Sequence, residues 1–331
     1  RGFVMDYGAI KKMLFDPYNG ILLYLVPLII LFPRHLAHYR KVFAVIFSLS
    51  LFYLFFCIIH FNELIQVSGE NSRALLEYFT KTLGFTAGFL LLTYVYQPKK
   101  VIFIACTTLM AILVLSVIGA RRGLMFMTAL VLLLSFIMYS YENRKKIIDV
   151  AISSGAAVLL LLYAGGMFYE GGTKVFGFAK ERLDEDTRSV VELYFYDDMT
   201  SKDWLIGRGM NGLVAAPVSI HDDHIDGMPG YRDGIETDYL KIILKGGAVS
   251  LGLLLLIAIP AIFLGIFFSN NILSKAAACW IILWLFSLYP SNVTTFTLNY
   301  VLVWLAIGIC YSKSIRTLPE HFIRRKFNIP T

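Results

Sequence analysis

Long apolar runs joined by short polar connections dominate the chain. Nine runs approach or reach the ~20 residues that a helix needs to cross a ~30 Å hydrocarbon layer, at residues 19–33, 42–61, 74–96, 101–120, 123–141, 147–168, 239–268, 275–290 and 296–312. Runs such as 42–61 are apolar on every side, whereas the strands of an outer-membrane barrel alternate in polarity. The pattern therefore predicts an all-α polytopic integral membrane protein with about nine transmembrane helices.

The composition agrees with this pattern. Hydrophobic residues make up 57% of the chain and charged residues only 16%, and the mean hydropathy of +0.67 lies far above that of soluble proteins. The formal net charge of +7 comes mostly from residues spread along membrane-flanking connections rather than gathered in one patch. No nucleic-acid partner is therefore expected.

The distribution of lysine and arginine predicts the orientation. Short connections rich in these residues face the cytoplasm, and alternate connections carry them: Arg34, Arg40, Lys41, Lys99, Lys100, Arg144, Lys145, Lys146, Lys275, Lys313, Arg316, Arg324, Arg325 and Lys326. Residues 1–168 then form the first group of transmembrane helices, 169–238 a large outer loop, and 239–331 the last helices with a basic cytoplasmic tail. Residue 1 lies outside and is not methionine, so we expect further helices before it in the natural protein.

The outer loop is far longer than a connection needs to be, and long structured loops are usually functional. Its sequence predicts helix over 179–195, a compact turn over 203–209 and an irregular acidic loop over 221–234. The loop is thus expected to be partly helical.

The sequence gives little support for a bound metal or cofactor. The four cysteines fall in apolar segments without paired spacing, and no nucleotide-binding glycine motif is present. His221 and His224, with three neighbouring aspartates, have permissible metal ligands but no recognisable site spacing. We predict that they form a sugar-binding rim, with no metal and no cofactor.

Two adjacent arginines, Arg121 and Arg122, interrupt the apolar pattern at the outer boundary between two helices. Arginine holds phosphate oxygens bidentately, and Gly123 would let a bulky anionic headgroup approach the backbone. Pairing with the acidic outer loop, or with lipid headgroups, explains the arginines equally well. A second charged pair, Glu77 and Lys81, stands four residues apart on one helix and predicts a local ion pair.

Four motifs resemble the O-antigen polymerases and O-antigen ligases, which act on undecaprenyl-pyrophosphate-linked glycans. They are Ala120-Arg-Arg-Gly123, Asp186-Thr-Arg188, Trp204-Leu-Ile-Gly-Arg-Gly209, and Glu236-Thr-Asp-Tyr-Leu240 followed by Lys245-Gly-Gly247. Together they cover about 130 residues in the order that the family shows. The resemblance implies a GT-C-like helical membrane fold.

The resemblance also implies a diphosphate site. Arg122 and Arg188 would bind the donor diphosphate and stabilise the charge that grows on it as it departs. Arg121, Arg208, Lys241 and Lys245 are further candidates for binding the substrate.

Glu236 stands where the ligases carry histidine. It is the candidate general base that removes a proton from the acceptor hydroxyl, and Asp238 and Tyr239 are placed with His221 and His224 among the substrate-binding residues. Alternatively, Glu236 and Asp238 cap the helix that follows. The absence of the histidine favours a polymerase over a ligase.

The resemblance thus implies a glycosyltransferase that polymerises lipid-linked repeat units into O-antigen or a related surface polysaccharide. Its partners would be the lipid-linked donor and acceptor, membrane lipids, a chain-length regulator and a flippase, in a bacterial inner membrane with the large loop in the periplasm. A ligase that uses another acceptor and a lipid-linked glycan transporter are the alternatives.

Overall fold

The structure is a computed structural model. It describes residues 7–16, 18, 20–32, 35–65, 70–119, 121–142, 188–215, 230–232, 234–290 and 295–327. The predicted helix over 147–168 and the predicted acidic loop between 221 and 229 lie outside these ranges.

Helices account for most of the described chain. The α-helices are α1 (Tyr7–Phe15), α2 (Leu22–Leu25), α3 (Leu36–Ile59), α4 (Phe61–Ile65), α5 (Glu70–Phe79), α6 (Ala87–Leu92), α7 (Lys99–Ile118), α8 (Arg122–Glu142), α9 (Arg188–Asp198), α10 (Ser201–Ile206), α11 (Asp238–Phe267), α12 (Ile272–Ser287), α13 (Leu298–Tyr311), α14 (Lys313–Arg316) and α15 (Glu320–Lys326). Turns of 3₁₀-helix follow α2 and α6 at Val26–Leu31 and Tyr94–Tyr96, and Thr80–Gly84 forms a π-helix. Two-residue strands, β1 (Val214–Ala215) and β2 (Tyr231–Arg232), pair antiparallel in the loop.

Among the residues that the structure describes, four helices are long and apolar enough to cross a membrane by length and composition: α3, α7, α8 and α11. Three shorter apolar helices accompany them, at Leu22–Leu31, α12 and α13. The protein is therefore a mainly helical, membrane-embedded one, as the apolar pattern predicts.

The segment predicted as one helix over 74–96 is broken. It runs through α5, the π-helix Thr80–Gly84, α6 and a final 3₁₀ turn. The buried hydroxyls of Tyr53 and Thr80 lie 3.1 Å apart at the start of the π-helix, and Gly84 leaves room for Tyr53 and Ile112 against its backbone. The break in the predicted helix thus coincides with contacts between residues that are far apart in sequence, and a hydropathy profile does not detect such contacts.

The chain divides into two compact units, one made of Arg1–Arg34 with Asp186–Pro319 and the other of His35–Glu185 with Glu320–Thr331. In the second unit, α3, α6 and α7 pack around large buried side chains that include Ile46, Phe89 and Leu109. The other face of α3 exposes apolar residues such as Phe52, Phe55 and Ile58. This distribution suits a helix that has protein on one side and lipid on the other.

In the first unit, α11, α12 and α13 run antiparallel with their ends in register. At one end the backbone N–H of Asp238 donates to Leu288 O (2.9 Å). At the other end the backbone N–H of Asn270 donates to Arg316 O (2.8 Å), and the Nδ2 of Asn271 donates to Ile315 O (2.8 Å). The loop helices α9 and α10 belong to the end that holds Asp238, because their apolar residues share a core with Leu240, Ile243 and Leu244.

Candidate functional site

Two of the four sequence motifs meet in the first unit. The segment after α10 lies against α11, where the backbone N–H of Arg208 donates to Leu244 O (2.7 Å) and that of Gly209 donates to Lys245 O (3.0 Å). The structure therefore brings Trp204–Gly209 and Lys245–Gly247 into direct backbone contact.

Glycine is required on both sides of this contact. Gly207 and Gly247 have φ values of 66° and 69°, a region that other residues rarely adopt. A Cβ on Gly247 would lie 2.1 Å from Leu205 O, and one on Gly207 would lie 2.5 Å from Gly246 N. Gly247 also breaks the helical geometry within α11, so residues 238–246 form a short half-helix ahead of the apolar part.

Arg208 lies at the centre of an ion-pair network in the loop. Its Nη1 donates to Asp198 Oδ2 (2.6 Å) and Leu213 O (2.7 Å), its Nε donates to Asp203 Oδ2 (3.2 Å), and its Nη2 donates to Asp198 O. Asp198 Oδ2 also accepts from the backbone N–H of Ala215 (3.0 Å). This set of contacts joins α9, α10 and β1, so the guanidinium that we predicted to bind substrate is engaged in holding the loop together.

The two carboxylates have lowered pKa values. Burial raises the pKa of Asp198, but hydrogen bonds from Arg208 and the N–H of Ala215 outweigh it. Slight burial also raises the pKa of Asp203. Hydrogen bonds from the hydroxyl and backbone of Thr200 and from Arg208 lower this pKa by more than burial raises it. Hydrogen bonding to Asp198 in turn raises the pKa of Arg208, so all three groups are charged at neutral pH.

Glu236 and Asp238 flank the N-cap of α11. The N-cap is Thr237, and its hydroxyl donates to Glu192 Oε1 (2.6 Å) rather than capping the helix. Asp238 is buried in the first turn, where a carboxylate favours the helix dipole, whereas Glu236 is half-buried just before the helix. Asp238 thus occupies a position that the capping alternative expects, and Glu236 lies directly before the N-cap residue.

The other predicted substrate-binding residues on α11 point into the protein. Tyr239 donates its hydroxyl to Leu285 O (2.6 Å), and Lys245 donates to Gly212 O (2.8 Å). Lys241 is buried, with its Nζ 3.4 Å from Tyr18 O and 3.8 Å from Asp238 Oδ1. A ligand that binds any of the three must compete with these contacts.

A second charged cluster lies in the second unit. Glu77 accepts from Lys81 through Oε1 (2.7 Å) and from Arg121 through Oε2 (3.1 Å), which confirms the predicted Glu77–Lys81 pair. One partner of Arg121 is therefore a residue of α5. Arg122, the next residue along the chain, begins α8 and is exposed.

For three predicted site residues, the side chains lie outside the described part of the chain. Arg188 begins α9, but its side chain lies outside the described residues, as do His221 and His224. In the described part of the chain, no group of three or more histidine, cysteine or acidic side chains is placed to hold a metal ion.

The sequence missed Asp198, Asp203 and the partner of Arg121. The two aspartates lie ten and five residues before Arg208, and only the folded loop brings them together. Glu77 lies 44 residues before Arg121, although an intramembrane carboxylate is itself a signal that a cationic partner is near.

Comparisons with protein-family models, with curated proteins and with solved structures found no match.

Proposed function

We propose that the protein is a glycosyltransferase that polymerises undecaprenyl-diphosphate-linked repeat units at the outer face of a bacterial inner membrane, with about nine transmembrane helices in a GT-C-like arrangement. The observation that carries the proposal is the cationic cluster of the second unit. Its described members include Lys81 and Arg121, which both pair with Glu77, and Arg122 follows Arg121 along the chain at the start of α8. Lysine and arginine side chains at the end of apolar helices suit a lipid whose headgroup is a diphosphate.

A second observation supports the resemblance. Two of its motifs are joined through backbone contacts around Gly207 and Gly247, which lie 40 residues apart in sequence. Motifs that contact one another can contribute to one site, as the proposal requires.

In the proposed reaction, a hydroxyl oxygen of the acceptor repeat attacks the anomeric carbon of the donor glycan. The bond from that carbon to the diphosphate oxygen breaks, and its electron pair leaves with undecaprenyl diphosphate. The Glu236 carboxylate accepts the hydroxyl proton. Arginine side chains bind the departing diphosphate more tightly as its charge grows, which lowers the barrier.

The test uses the purified protein in lipid vesicles with undecaprenyl-diphosphate-linked repeats, and polymer length is measured on a gel. We expect Arg122→Ala and Glu236→Gln to lower the rate at least about 100-fold. The matched controls are Arg325→Ala and Asp197→Asn, which remove exposed charges elsewhere and should leave the ladder unchanged. Full activity in both site variants, with folding intact, contradicts the assigned site. A well-folded wild type that forms no ladder contradicts the polymerase.

A lipid-linked glycan transporter is the second candidate, because two apolar segments are discontinuous: 70–96 at the π-helix and α11 at Gly247. Broken helices line the binding sites of many transporters. The same vesicles separate the candidates. A transferase releases undecaprenyl diphosphate and lengthens the glycan, whereas a transporter moves the intact lipid-linked repeat and forms no new bond. A ligase would release the diphosphate only with a different acceptor.

A further inference from the structure

The apolar part of α11 presents a continuous stripe to its surroundings. No charged residue occurs from Ala248 to Phe267, a length of about 30 Å in a helix. The exposed residues Val249, Leu253, Leu256, Phe263 and Phe267 recur at intervals of three, four or seven. This spacing places them on one face of the helix, and in a membrane-embedded protein that face contacts lipid.

The apolar end of α10 lies at the first residue of this stripe. Leu205 and Ile206 form the last turn of α10, and their backbone packs directly against Gly247, two residues before Val249. Their side chains are nevertheless 59% and 42% exposed, comparable with 48% for Val249 and 56% for Leu253. Two large aliphatic side chains are thus exposed next to the start of the stripe.

Polarity changes along α10 in the order that a bilayer interface requires. Ser201 and Lys202, at the end away from Gly247, are exposed and polar. Between the two ends, the ring of Trp204 stacks on that of Tyr196 with centroids 5.9 Å apart and planes at 10°. Tryptophan and tyrosine are enriched at the headgroup level, with apolar residues below them and lysine above.

We propose that α10 lies in the membrane interface, with Leu205 and Ile206 in the acyl boundary, the Tyr196–Trp204 pair at headgroup level and Lys202 in water. The partner of this surface is the phospholipid leaflet that surrounds α11. The inference rests on the membrane embedding of α11 alone and is independent of the proposed reaction. In this placement α10 holds the loop in two ways, through its contact with lipid and through its backbone contact with α11.

A photo-crosslinking experiment tests this placement. Benzoylphenylalanine is introduced singly at Leu205, at Lys202 and at Leu253 in the full chain, and each variant is reconstituted in phosphatidylethanolamine–phosphatidylglycerol vesicles. After irradiation, mass spectrometry measures the fraction of chain that carries a phospholipid adduct. Position 253 serves as the reference for lipid contact and position 202 as the matched control on the same helix.

We expect the adduct fraction at 205 to lie within about threefold of that at 253 and to exceed that at 202 at least tenfold. All three substituted side chains are exposed or lie on the stripe, so the fold should persist, and the adduct at 253 reports correct insertion. An adduct fraction at 205 as low as that at 202 overturns the proposal. A crosslink from 205 to another segment of the chain, or to a second copy, overturns it equally.

Discussion

At the scale of single residues, Arg208 shows how one side chain fixes the conformation of a loop. It makes charge-assisted hydrogen bonds to two aspartates and further bonds to two carbonyl groups, and its own backbone is bonded to α11. Bonds of this kind contribute more than neutral ones because the donor and the acceptor are ionised. If one partner loses its charge, the charges of the remaining partners stay in the loop and are no longer balanced by it.

The network predicts a pH dependence of loop stability. The pKa values of Asp198 and Asp203 in the folded loop lie below their ordinary value of 3.8. Their contribution to stability is therefore complete above pH 3.8 and is lost as the pH falls through the lower, folded values. We expect hydrogen-exchange protection of residues 198–215, corrected for the intrinsic exchange rate, to be constant from pH 7 to 5 and to fall below pH 4.

Asp198→Asn should remove part of this pH dependence and lower the local opening free energy by about 2 kcal/mol at pH 7. Asp197→Asn is the matched control, because Asp197 is an exposed neighbour on the same helix. Equal protection at pH 3 and pH 6 in the unmodified protein would show that the ion pairs do not hold the loop.

At the scale of elements, the sequence predicts where helices occur better than where they break. The predicted helix over 239–268 corresponds to α11 with a one-residue difference at each end. Its break at Gly247 was not predicted, because glycine within an apolar run is ordinary in membrane helices. The break depends on Leu205, 42 residues away, whose carbonyl occupies the space that a side chain at 247 would fill.

This dependence is testable with two glycines of α11. Gly247→Ala should prevent the backbone contact with Leu205 and force an unfavourable φ, which we expect to destabilise the protein by at least about 2 kcal/mol. Gly252→Ala is the control, since a Cβ there meets no atom within 4 Å. The measurement is the thermal unfolding midpoint in detergent. Equal midpoints for the two variants would show that position 247 does not require glycine.

The candidate site, like the helices, could be predicted from the sequence only in part. The Glu77–Lys81 pair follows from helical spacing and was predicted correctly. The pairing of Glu77 with Arg121, and of Arg208 with Asp198, joins residues from different elements. Charge type alone does not distinguish an arginine that awaits a ligand from one that already has a carboxylate partner, so single-sequence reasoning assigned Arg208 to substrate binding.

At the scale of the whole molecule, the apolar helices and the placement of basic residues predict a polytopic arrangement. In the first unit, α11, α12 and α13 run antiparallel, with Arg316 hydrogen-bonded at the end opposite Asp238. The two shorter helices are 16 and 14 residues long, or about 24 and 21 Å. They cross a hydrocarbon layer only if flanking residues complete the span or the bilayer thins beside them.

Cysteine accessibility tests this arrangement. We expect Lys202→Cys to react with a membrane-impermeant maleimide applied to the outer face of intact cells, and Lys313→Cys to react only after the membrane is permeabilised. Both lysines are exposed in the structure, so water access is not limited by packing. Labelling of both positions from the same side would contradict the three crossings between them.

The backbone contact between Gly207 and Gly247 also orders the events of synthesis. Residues 205–209 leave the ribosome before α11, so their partner does not yet exist when the loop first forms on its side of the membrane. The loop completes its fold only after Lys245–Gly247 has arrived on that same side. An α11 inserted in the wrong direction leaves the loop without its partner and open to proteases, which couples the survival of the chain to its correct insertion.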